Sequence, residues 1–297
     1  MTGETKRVQT SVLEIAYEEH GPADGAPVFL MHGFPDDVRT WDGVAATLSS
    51  KPCRLIVPYL RGYGPTRFLS ASTMRSGQQG AIGSDLKELM DALGIARAVL
   101  AGYDWGGRAA CIVAALWPER VGGIVSIGGY NIQDIAKNIR PEAADLEWRY
   151  WYQWYFNTAR GVAGLAANRH DLCRRLWRMW SPHWAFDDAT YAATAPAFDN
   201  PDFVDIVIHS YRHRYQAAPS DPAYEPIERR LALQPKITVP SIVFHGASDE
   251  VDPPFLSEGA AAHFTASYRR EVVPRAGHFF PREAPEKVAA AVLELLG

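Results

Sequence analysis

Short apolar runs recur along the chain, each closed by a glycine, proline or polar turn. Pro27–Met31, Arg54–Pro58, Ala98–Ala101, Gly123–Ile127 and Pro240–Phe244 have the length and β-branched content of strands buried on both faces. Between several of them lie stretches with apolar residues at helical spacing, notably Ser84–Leu93 and Gly107–Trp117, and Ala284–Leu296 reads as a closing helix. Strands alternating with helices predict an α/β fold with a mostly parallel sheet covered on both faces.

The alternation breaks between about residues 135 and 225. There the β-type runs give way to mainly helical sequence holding six of the nine tryptophans, at 148, 151, 154, 177, 180 and 184. Most such rings belong in a core. As a group they also suit a helical cap whose inner face lines a pocket.

The 297 residues leave one large or two average domains open, and 47% hydrophobic with 22% charged residues is ordinary for a folded globular protein. A net charge of -4 lacks the basic excess that phosphate neutralisation needs, so nucleic acid is not an expected partner. No apolar run reaches the roughly 18 residues of a membrane span, and the Met-Thr-Gly-Glu-Thr-Lys-Arg start has no export-signal pattern, so a cytoplasmic protein without membrane contact is expected. Cys53, Cys111 and Cys173 are three and widely spaced, which predicts reduced packing residues. Metalloprotease, phosphate-loop and dinucleotide motifs are missing.

Candidate chemistry centres on Gly102-Tyr103-Asp104-Trp105-Gly106-Gly107, directly after one strand and before a helix. Gly-x-nucleophile-x-Gly at that junction describes a strained turn that lifts a side chain above the sheet. Alone, Asp104 reads equally well as a helix cap. Three partners change that reading. His32-Gly33-Phe34-Pro35 can present the Phe34 N–H beside that of Trp105 as an oxyanion hole. Gly246-Ala-Ser-Asp249-Glu-Val-Asp252 follows a later strand, and Gly277-His278-Phe279 precedes the final helix. Nucleophile, acid and histidine thus follow one another in chain order.

With these residues the sequence resembles the α/β-hydrolase fold over essentially its whole length, specifically the branch with an aspartate nucleophile that holds epoxide hydrolases and haloalkane or haloacetate dehalogenases. The resemblance implies a mostly parallel sheet of about eight strands, core segments 1–136 and 226–297, and a helical cap at 137–225. It also implies Asp104 as nucleophile, Asp249 as the acid behind His278, and the backbones of Phe34 and Trp105 as oxyanion donors. Asp252 stays as the alternative partner of His278. An ionised aspartate can attack an sp3 carbon directly, leaving histidine to activate the water that hydrolyses the resulting ester. No metal or organic cofactor is called for.

Epoxide and halide chemistry differ in what receives the leaving charge. Trp151-Tyr152-Gln153-Trp154-Tyr155-Phe156 resembles the start of an epoxide hydrolase cap, where the first tyrosine grips the oxirane oxygen, and His209-Ser210-Tyr211-Arg212 resembles the segment with the second. Tyr152 and Tyr211 are therefore the expected acids, with Tyr155 and Tyr215 one helical turn away. Trp154, Gln153 and Trp41 are expected to line the pocket. Dehalogenase chemistry is the alternative: Trp105 follows the nucleophile in haloalkane dehalogenases, but Phe34 stands where those enzymes carry Asn. Of the fluoroacetate dehalogenase set the chain keeps Trp154, Tyr211 and an arginine at Arg108, and lacks the His and the first Arg. Tyr59 replaces the usual Asp of the Pro-Asp-x-Arg-Gly-Tyr-Gly loop. The expected partners are a small hydrophobic epoxide or organohalide and water, and a homodimer stays open.

Overall fold

The computed structural model describes residues 4–297; residues 1–3 of the first expected core segment lie outside it. Nine strands form one sheet: β1 Thr5–Gln9, β2 Leu13–His20, β3 Ala26–Met31, β4 Cys53–Pro58, β5 Arg67–Phe68, β6 Ala98–Tyr103, β7 Val121–Ile127, β8 Ser241–Gly246 and β9 Tyr268–Val273. Their order is β1-β2-β4-β3-β6-β7-β8-β9, with β5 paired to β2. β2 pairs antiparallel with β1, β4 and β5, and every other neighbour is parallel.

Each of the five apolar runs became a strand, and the physical reason is visible in their burial. Every residue of β6 and of β8 is buried, so both faces are covered, as parallel strands require. The cover comes from helices 79–92 and 104–116, which pack on each other, and from helices 42–48 and 285–296, which do the same. Cys53, Cys111 and Cys173 are unpaired and buried. Among the described residues no helix is long and apolar enough to cross a membrane.

Between β7 and β8 the regular elements are all helical: 144–149, 151–156, 159–180, 188–194, 203–213 and 225–231, with 3-10 turns. These helices are tied to the sheet edge by specific bonds. Trp177 Nε1 donates to the Pro35 carbonyl at 2.6 Å, and Thr194 Oγ1 donates to Asp37 at 2.8 Å. Asp36 is held by Arg282 at 2.9 Å and by the Tyr103 hydroxyl at 2.8 Å. Helix 225–231 instead joins helix 79–92, where Glu228 accepts from the Gly80 N–H at 2.8 Å. The loop with Tyr59 is anchored without a carboxylate at that position: the Leu60 N–H donates to His32 Nε2 at 3.1 Å, and Arg61 pairs with Asp85 at 2.6 Å.

Candidate active site

Asp104 stands at the carboxyl end of β6 and opens helix 104–116, with φ at +49°. A non-glycine residue held there is strained, and the surroundings show what holds it. A Cβ on Gly106 would sit 2.1 Å from the Met31 carbonyl oxygen, and one on Gly33 would sit 2.6 Å from Asp104 Oδ1. Glycines at those places let the turn pack against the β3 loop. The contact brings the Phe34 N–H to Asp104 Oδ1 at 2.6 Å. The N-terminus of helix 104–116, where Trp105 lies, adds its dipole to the same carboxylate.

Asp249 follows β8 and His278 follows β9, so both come from carboxyl ends of strands on the side of Asp104. His278 Nδ1 lies 2.9 Å from Asp249 Oδ2, and Asp249 Oδ1 accepts the N–H groups of Val251 at 3.0 Å and Asp252 at 2.9 Å. Asp252 is taken by the Tyr150 hydroxyl at 2.9 Å. Of the two acids open from the sequence, Asp249 is therefore the one bonded to the histidine. Burial disfavours the imidazolium, but Asp249, then Asp104 and Asp252, outweigh it and raise His278 to about 9. Its Nε2 is buried with no hydrogen-bond partner among the described residues. An imidazole fixed at Nδ1 with Nε2 open is arranged to take a proton from water.

Tyr152, on helix 151–156, and Tyr211, on helix 203–213, meet edge to face with ring centroids 5.3 Å apart. Both pack on Phe34, at 6.3 and 5.4 Å. Burial, reinforced by Asp104 at Tyr211 and by Tyr211 at Tyr152, holds both hydroxyls well above the usual phenol value, so both stay protonated donors. Gln153 Nε2 donates to the Tyr152 oxygen at 2.9 Å, which leaves the phenol proton to be given elsewhere. The neighbouring candidate Tyr215 is committed: its hydroxyl donates to Gln153 Oε1 at 2.7 Å and its ring lies 4.3 Å from Trp154.

A cavity of about 250 Å3 opens beside Asp104 and His278, with Arg108, Tyr150, Trp154 and Arg214 among its walls. Trp154 is one of the residues that line it. Gln153 lies behind the wall, fully engaged by Tyr152, Tyr215 and Arg214. Trp41 does not line the cavity. It is fully buried at the end of the 3-10 turn Val38–Trp41, where its ring packs edge to face with Tyr103 at 6.5 Å and so is taken into the core. Arg214 and Tyr150 were missed by sequence reasoning. The signal for Arg214 was an arginine one helical turn after Tyr211.

The match to the α/β hydrolase fold family spans residues 26–285. A crystal structure of a candidate epoxide hydrolase from Klebsiella pneumoniae superposes with a TM-score of 0.95 at 46% identity, covering 98% of this chain and 97% of that one. Epoxide hydrolase from Caballeronia sordidicola is 27% identical over 100% of this chain and 95% of its own length. Epoxide hydrolase A from Mycobacterium tuberculosis is 25% identical over 97% and 96%. With the family match over most of its length and the sheet order described above, the chain belongs to the α/β-hydrolase fold family.

Proposed function

We propose that the protein is an epoxide hydrolase that adds water to a small epoxide through a covalent ester on Asp104, with residues 137–225 as the cap over a core of 1–136 and 226–297. The observation that carries this reading is the pair of buried, protonated phenols, Tyr152 and Tyr211, packed on Phe34 beside the nucleophile turn. The similarity to named epoxide hydrolases over nearly the whole chain supports it.

In the first step an Asp104 oxygen attacks an oxirane carbon, the carbon–oxygen bond breaks, and a phenol protonates the ring oxygen. In the second, His278 removes a proton from water, which attacks the ester carbonyl. The Phe34 N–H, already 2.6 Å from Asp104 Oδ1, and the Trp105 N–H receive the charge that develops on that oxygen. Asp249 holds the imidazole in place and stabilises its charged form. Collapse frees the diol and restores the Asp104 carboxylate, and the proton taken up by His278 returns to the phenolate left by the first step.

Two expectations follow for this pathway. Tyr152→Phe and Tyr211→Phe each lower kcat/KM for an epoxide by about 10- to 100-fold, and the double variant by at least about 1,000-fold, since each phenol is one general acid. Diol formation by the three variants checks this.

The second concerns pH. His278 serves as base only when neutral, so ester hydrolysis falls as pH drops through its pKa in the intermediate. That value lies below the free enzyme's, about 9, because esterification removes the Asp104 charge that helps raise it. Asp249→Asn moves the acid limb of the kcat profile further down while lowering its plateau, whereas an unmoved limb contradicts the assignment. The same shift makes charged His278 stabilising: its contribution is complete below the ordinary value of 6.5 and is lost as pH rises through about 9.

One observation favours a dehalogenase as the second reading. The Trp105 indole N–H is buried without a partner among the described residues, and such a donor suits a departing halide. Parallel assays with small epoxides, a chlorinated alkane and fluoroacetate separate the two. Diol without halide supports the epoxide hydrolase, and halide without diol overturns it.

A further inference from the structure

Three arginines share the wall of the cavity beside Asp104. Arg140 is exposed, whereas Arg108 and Arg214 stand deeper in it and form no ion pair among the described residues. Arg108 stands on helix 104–116, one turn past Asp104, and Arg214 directly follows helix 203–213. Arg108 is only 6% exposed. Its Nε donates to the Asn131 carbonyl at 3.3 Å. Arg214 donates to Gln153 Oε1 at 3.0 Å, and to the amide oxygen of Gln133 at 2.6 and 2.9 Å when that amide is oriented to satisfy both of its ends. Its guanidinium carbon lies 5.0 Å from the centre of the Tyr211 ring. All these acceptors are neutral. Neither arginine has a carboxylate within 4.0 Å among the described residues.

Five carboxylates share the cavity wall. Glu142 and Glu147 lie more than 4.0 Å from both arginines, and the three aspartates are bonded to other groups. Asp104 takes the Phe34 N–H, Asp249 takes His278, and Asp252 takes the Tyr150 hydroxyl. Keeping two guanidiniums in one small, buried wall without a counter-ion is costly. The cost falls on Arg108, which burial, and next the charge of Arg214, lower to about 10; it remains a cation at neutral pH. At Arg214 burial is outweighed by the surrounding tyrosines and Asp104, which raise it. The help from Asp104 is lost during the proposed reaction, because esterification deletes a negative charge that acts on both arginines. An anionic group on the substrate would supply the direct ion pair that both arginines lack. Guanidinium matches carboxylate in geometry as well as charge, since its paired N–H groups fit the two oxygens.

We propose that Arg108 and Arg214 form a carboxylate subsite and that the substrate is a small epoxy acid, with the carboxylate next to the oxirane. This rests on the epoxide hydrolase reading above. The reaction is then epoxy acid plus water to dihydroxy acid: Asp104 bonds to an oxirane carbon, the ring oxygen leaves with the bond pair and takes a phenol proton, and water releases the product from the ester. The cavity of about 250 Å3 lies below the roughly 300 Å3 at which drug-sized pockets begin, which points to a short carbon skeleton.

The test compares trans-2,3-epoxybutanoate with trans-2,3-epoxybutanamide as substrates, and 2-methylcyclopropanecarboxylate with its amide as unreactive ligands by calorimetry. The wild-type enzyme is expected to favour the epoxy acid by at least about tenfold in kcat/KM, the worth of one charge-assisted contact. Arg108→Gln and Arg214→Gln are each expected to collapse that ratio toward one and to abolish the preference for the cyclopropane acid. Arg108→Lys should recover part of both. Equal use of acid and amide, with diol formed from each, overturns the carboxylate subsite and leaves the hydrolase reading standing. No diol from either, with acid-selective binding lost in both arginine variants, overturns the hydrolase reading and keeps the subsite.

Discussion

Asp104→Asn is expected to lower epoxide turnover by at least about 10,000-fold, the scale on which loss of a covalent nucleophile acts. The amide is neutral and cannot donate an electron pair to an oxirane carbon as the carboxylate does. The same substitution is expected to leave the fold intact. Asn is among the few side chains that accept a positive φ readily, and at +49° it keeps an oxygen to receive the Phe34 N–H. The melting temperature should therefore move by no more than about 3 °C. Diol assay together with thermal unfolding checks both halves, and full activity in this variant contradicts the mechanism.

His278→Gln is expected to separate the two chemical steps. The attack by Asp104 needs no base, so the variant should still react once with an epoxide. The ester then persists, because the group that activates water is gone. Glutamine retains an N–H for Asp249, whose bond to Nδ1 spans 2.9 Å in the native site, and fits the space without a charged remnant. The expected result is a burst of one epoxide consumed per chain, steady turnover lower by about 10,000-fold, and an intact mass raised by one whole epoxide. A variant that consumes no epoxide at all contradicts the assignment of His278 to the second step alone.

The turn that carries Asp104 was legible in the sequence because its geometry demands residue types. Gly102 and Gly106 flank Asp104, and the structure shows backbone within 2.5 Å of where their Cβ atoms would lie. Five of the six interior strands were legible for a similar reason: with both faces covered, they read as unbroken apolar runs. β1 and β9, at the two sheet edges, were not named. Thr5–Gln9 and Tyr268–Val273 carry charges and are largely half-buried or exposed, so no apolar run marks them. β2 mixes Leu13, Ile15 and Tyr17 with charged residues, and falls between the two patterns.

Between β7 and β8, helical sequence was evident but the partners of each side chain were not. Tyr152, Tyr155, Tyr211 and Tyr215 are equivalent as residue types. Packing separates them, since Tyr215 is bonded to Gln153 while Tyr152 and Tyr211 face each other across Phe34. Trp41 shows the opposite limit. A tryptophan soon after the loop that carries Phe34 can face a pocket or the core, and here the core contact with Tyr103 prevails. Arg214 acquires meaning only from sharing a cavity wall with Arg108, over a hundred positions earlier in the chain.

The covalent ester is tested most directly by a single turnover in water enriched in oxygen-18, with enzyme in excess over epoxide. Water attacks the ester carbonyl, so the diol leaves with an oxygen from Asp104 and the label enters the enzyme. The expected result is an unlabelled diol and one oxygen-18 in the peptide that carries Asp104. Label in the diol from that first turnover, with none in the peptide, would mean that water attacks the oxirane directly and would contradict the mechanism.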